Sequence, residues 1–138
     1  MTLQAIFASS VLAAALATDP PLTVTCVVPN DPAARVFRLR QGDDGWLLGV
    51  RHKELGAGWL ELKLPGAEPV FTTRSARLKY RNANGGRQVD LTVGPDGSSL
   101  DVWVDHGLEV NIEPDLNPRV DLMNTDGPLR TVSCRLEH

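Results

Sequence analysis

The sequence predicts an all-β protein: a single small antiparallel meander forming a closed or nearly closed barrel, with a two-sheet β-sandwich as the alternative. Three observations carry this reading. Apolar and polar residues alternate through successive short runs, the period of half-buried strands. The breaks between runs hold Gly, Asn and Asp, the residues that tight reversals require. The only two cysteines, Cys26 and Cys134, fall in the first and last runs on the inferred inward face.

The runs follow one another in order. Leu22, Val24, Cys26 and Val28 alternate with Thr23, Thr25 and Val27, and Phe37 and Leu39 with Arg38 and Arg40. Trp46, Leu48 and Val50 form one face of the third run, and Leu60, Leu62 and Leu64 one face of the fourth. Leu78 and Tyr80 alternate with Arg77, Lys79 and Arg81. Val89 to Val93, Leu100 to Val104, Leu108 to Ile112, the short Val120–Leu122 and finally Val132 with Cys134 complete about nine or ten strands. Asp43-Asp44-Gly45, Asn84-Gly85-Gly86, Asp96-Gly97 and His106-Gly107 supply the turns. Proline falls in the breaks and never inside a run, as a hydrogen-bonded ladder demands.

Both ends of the chain bear on compartment. Residues 1–17 carry no charged side chain and form a signal-peptide-like apolar segment ending Ala15-Leu16-Ala17, too short for the roughly 20 apolar residues of a membrane span. A basic residue near Met1, usual in such leaders, is absent. Residues 18–135 then make one β-domain, and residues 136–138 read as an expression-tag remnant. An even cysteine count in an exported chain reads as a disulfide, and with two cysteines the only pairing is Cys26–Cys134. Bridged cysteines have Cα atoms within about 7 Å, so the first and last strands should be neighbours. The expected location is periplasmic or secreted.

The net charge of −3 hides an asymmetry. Residues 35–87 hold eleven basic and five acidic side chains, whereas residues 88–129 hold one basic and nine acidic. In a meander, sequence neighbours are spatial neighbours, so one flank should be basic and the other acidic. Trp59 and Trp103 share the outward phase with charged residues, and Arg77, Lys79 and Arg81 form an outward basic row. An exposed tryptophan beside charge is a place to anchor a protein or a sugar ring. These five are the candidate partner-binding residues. An acidic, exported chain without aromatics among its basic residues argues against nucleic acid.

Catalytic chemistry has little to work with. No nucleophile elbow is present, and outside the tag the histidines are His52, at a strand end, and His106, in a turn. No His/Cys cluster has zinc spacing. Glu113, Asp115, Asn117 and Asp121 alternate like the start of a calcium loop, but Pro118 takes the place of the turn glycine. The expectation is therefore no cofactor, no metal and no enzyme.

The early Val24-Thr25-Cys26, the late cysteine and the overall size resemble the bacterial periplasmic inhibitors of c-type lysozyme, small β-barrels with cysteines near both ends. The loop with which that family blocks the lysozyme cleft, of Ser-Ala-Ser-Gly type, has only a faint echo in Ser75-Ala76-Arg77. The family's Trp-x-Lys-Gly-like segment is absent, so no site residue is carried over. Composition and pattern lead to a non-catalytic exported binding domain whose partner is a protein or glycan of the cell envelope. The alternatives are a barrel for a small apolar ligand, a periplasmic inhibitor of a cell-wall hydrolase, and an envelope enzyme.

Overall fold

The computed structural model describes residues 23–82, 84–105, 121–125 and 130–137. Alternation produces nine strands there: β1 (Thr23–Val27), β2 (Val36–Gly42), β3 (Gly45–Arg51), β4 (Leu60–Leu64), β5 (Val70–Phe71), β6 (Ala76–Asn82), β7 (Arg87–Gly94), β8 (Gly97–Val104) and β9 (Arg130–Glu137). Every pairing is antiparallel. Two hairpins turn in two residues, closing on Gly42 opposite Gly45 and on Gly94 opposite Gly97. Gly45 and Gly97 sit at φ 127° and 146°, where a side chain would be strained.

The strands form one sheet in the order β4-β3-β2-β1-β9-β8-β7-β6-β5. β1 and β9 are therefore neighbours, as the cysteines require. Cys26 lies directly opposite Cys134 and is bonded to it, with Cα atoms 4.0 Å apart. The expected barrel is not closed. β4 and β5, consecutive in the chain, are the two free edges of the sheet. The sheet nevertheless curls until its ends meet: the Trp46 ring of β3 packs on Phe71 of β5 at 5.5 Å, and Tyr80 Oη donates to the Pro65 carbonyl at 2.8 Å. Prolines 65 and 69 flank the link between the edges and have no N–H to donate. β5 itself offers only two residues, so no ladder crosses the gap.

Inward positions fill the curl. Val24, Cys26, Phe37, Leu39, Leu48, Val50, Leu60, Leu62, Leu78, Leu91, Leu100 and Val102 are all at most 2% exposed, in the phase the alternation predicts. Trp46, expected in the core, is half-buried at the rim of the curl.

Two elements differ from expectation. β5 is too short to show a period, and it was not foreseen as a strand. The Val120–Leu122 run gives no strand where it is described, because residues 121–123 form a 3₁₀ turn with Asn124 N–H bonded to the Asp121 carbonyl at 3.0 Å. Leu136 and Glu137 lie inside β9, opposite Val24 and Thr23. The leader at 1–17, the turn at His106-Gly107, the run 108–112, the acidic residues Glu113, Asp115 and Asn117, and His138 lie outside the described residues. Among the described residues no helix is long and apolar enough to cross a membrane.

Candidate functional site

The outward faces of the two halves of the sheet are built differently. On β2 and β4 a single carboxylate, Glu61, gathers two arginines. Arg40 clamps Glu61 with two bonds of 2.7 Å, from Nε and Nη2, and Arg38 Nη2 stands 3.6 Å from the same carboxylate. The hydrogen bonds from Arg40 hold the Glu61 carboxyl below its usual range against the opposing effect of burial, and they push Arg40 up. Trp59 lies half-buried over this cluster, with the Arg38 guanidinium 4.0 Å and that of Arg51 5.1 Å from its ring. Gly49 makes room for it: a Cβ there would come within 3.1 Å of Trp59 Cε3. Trp59 is thus engaged by its own chain.

On β6 the basic row stands without such partners among the described residues. Arg77, Lys79 and Arg81 are exposed, and among the described residues no ion pair engages them. Spaced two residues apart, they span roughly 13 Å along β6. Register carries them across the sheet in rows. Arg81 faces Gln88, which faces Trp103; Lys79 faces Asp90, which faces Asp101; Arg77 faces Thr92, which faces Ser99. Trp103 is 49% exposed, the one large aromatic so displayed among the described residues. The four partner candidates Arg77, Lys79, Arg81 and Trp103 therefore share one face, and Trp59 stands apart from them. The face grades from basic on β6 to acidic at Asp90 and Asp101.

Trp103 stands on a braced edge that sequence reasoning missed. β9 pairs with β8 only at Ser98, Ser99 and Leu100. Beyond that, residues 124 and 125 take over. Val102 N–H donates to Thr125 Oγ1 at 3.1 Å and Thr125 N–H to the Val102 carbonyl at 3.1 Å. The Asn124 carboxamide accepts from Val104 N–H at 2.6 Å and donates to the Val104 carbonyl at 3.3 Å. Thr125 Oγ1 also donates to Asp101 at 3.1 Å. Arg35, 6% exposed, locks this segment to the β1–β2 turn by donating to the Asn124 carbonyl at 2.6 Å and to Asp31 at 2.8 Å. Burial raises the Asp31 carboxyl, but the bonds from Arg35 and from the Ala33 and Arg35 amides outweigh it and hold the group low.

His52 and Ser75 both make local hydrogen bonds. His52 is buried and its Nδ1 accepts from Glu54 N–H at 3.1 Å, capping the 3₁₀ turn Lys53–Leu55. Ser75 shares a 2.6 Å hydrogen bond with Thr72 in the turn before β6. Among the described residues no three His, Cys, Asp or Glu side chains gather as a metal site. No protein-family model, curated protein or solved structure matches the chain.

Proposed function

We propose that the protein is a non-catalytic, exported interaction domain that docks an acidic protein partner on the outer face of β6, β7 and β8. The observation that carries this is the row Arg81–Gln88–Trp103, which sets the exposed indole on the same face as the basic row of β6, one strand removed from its end. Tryptophan and arginine are the residues that most often dominate binding energy at interfaces. The cations of β6 would meet carboxylates of the partner, Trp103 an apolar pocket, and Asp90 with Asp101 a donor-rich rim. The packed interior favours this surface over a barrel that holds an apolar ligand. The disulfide suits an oxidising compartment, periplasmic or extracellular.

The test is affinity capture with the oxidised protein from cell-envelope extract, followed by titration of the purified partner. Trp103→Ala should weaken binding by roughly 2 kcal/mol or about thirtyfold, the cost of losing an interface anchor. Arg81→Glu should slow association and flatten the salt dependence. Unchanged affinity in both variants, with circular dichroism showing them folded, would refute the reading.

A further inference from the structure

Arg87 breaks the pattern of its own strand. It shares its phase with Val89, Leu91 and Val93, all buried in the core, yet it carries a guanidinium. As the first residue of β7 it emerges at the mouth of the curled sheet instead of in its interior. Its Nε is fully buried and has no hydrogen-bond partner. Among the described residues no side-chain hydrogen bond or ion pair engages the rest of the group. The other buried arginine nitrogens have an account: Arg35 is paired with Asp31, Arg40 with Glu61, and Arg38, whose Nε also lacks a partner, stacks on Trp59. A buried donor left unpaired costs free energy and calls for an explanation.

The Nε itself is closed off by the protein, so what a ligand could meet is the rest of a guanidinium that has no counter-ion among the described residues. Arg87 closes one side of a cleft of about 460 Å³ whose other walls are residues 40–47 and 63–65. Trp46, half-buried and on the inward phase with Arg87, supplies the apolar wall, backed by the buried Leu64, and its ring packs on Phe71. Leu47, Lys63 and Arg40 are on the opposite phase and border the cleft from the outer side of the hairpin. Asp43 and Asp44 are exposed at the tip of the β2–β3 hairpin. The volume falls in the range of small-molecule sites, about 300–1,000 Å³.

We propose that this cleft binds a small amphipathic anion, its apolar body on the Trp46 ring and its acidic group on Arg87. A neutral apolar molecule would leave the Arg87 guanidinium without a counter-ion. A bare inorganic anion would leave the tryptophan wall unused. The site is independent of the Trp103 face and draws its two walls from opposite ends of the sheet.

The probe is 8-anilinonaphthalene-1-sulfonate, an aromatic anion, titrated into the oxidised full chain beside the neutral N-phenyl-1-naphthylamine. Saturable binding of the sulfonate is expected, weakened about tenfold or more by Arg87→Gln, since a charge-assisted hydrogen bond is lost. The neutral probe should bind both proteins alike, and Trp103→Ala should change neither probe. Absence of saturable sulfonate binding, or equal affinity in Arg87→Gln, overturns the proposal, as does an equal loss for both probes. Should Arg87→Gln fail to fold, nuclear magnetic resonance of the wild type decides. A probe-induced shift of the Trp46 indole N–H supports the site, and shifts confined to Trp59 or Trp103 sink it.

Discussion

Glu61 shows how much one side chain can organise. It accepts both bonds from Arg40, lies close to Arg38, and so fixes the guanidinium that stacks on Trp59. Its carboxyl titrates lower in the folded protein than in the unfolded chain, chiefly through the Arg40 bonds. The stability that follows is present above the ordinary glutamate range and is lost as pH falls through the lower folded value. Wild-type urea midpoints should therefore drop as pH falls below about 4, the ordinary glutamate range, more steeply than those of Glu61→Gln, which carries no proton-linked term at this site. Asp31 adds a limb of the same sign to both proteins. The outward phase of Arg38, Arg40 and Glu61 was legible in the alternation. The seat of Trp59 was not, because it depends on a glycine in the neighbouring strand. Gly49 inside an otherwise apolar run was the available signal, since a strand glycine marks a close approach.

At the scale of elements, the edge of β8 is the instructive case. Its hydrogen bonds pass from a true strand, β9, to two side chains and a loop backbone at residues 124 and 125. Asn124→Ala should destabilise the protein by about 1–3 kcal/mol, because it strips both backbone groups of Val104 of their partner. Hydrogen exchange at the Val104 amide should rise with it, while the amides of β2 and β3 stay protected. This element illustrates what alternation cannot reach. Strands of five or more residues announce themselves by their period. A two-residue β5 has no period, and in the run Val120–Leu122 the described residues 121 and 122 belong to a 3₁₀ turn. The bracing by Asn124 spans 20 residues, so no local signal encodes it.

Taken as a whole, the molecule is two sequential meanders, β1 to β4 and β5 to β8, joined by β9 between them. Only the pairings of β9 with β1 and β8 hold the halves together as a ladder. The disulfide sits at that junction and closes a loop of 108 residues. Replacing both cysteines with alanine should lower stability by about 4–5 kcal/mol in the chain-entropy account, read as a shift of the guanidinium midpoint. The neighbouring of first and last strands was legible from two cysteines in phase. The open gap between β4 and β5 was not, because closure fails over prolines and a two-residue strand rather than over any missing hydrophobic pattern.

The bond at the centre of the sheet and the peptide link at residues 65–69 between its edges complete a single covalent circuit. Following it from Cys26 through β4, across the prolines to β5 and back to Cys134 crosses every strand and returns to the start. The positions most remote along the chain are the innermost in the sheet, and the midpoint of the sequence is its periphery. One cut in the backbone near Gly66 would part the two rims of the curl yet leave every strand on a single molecule, still fastened at its middle.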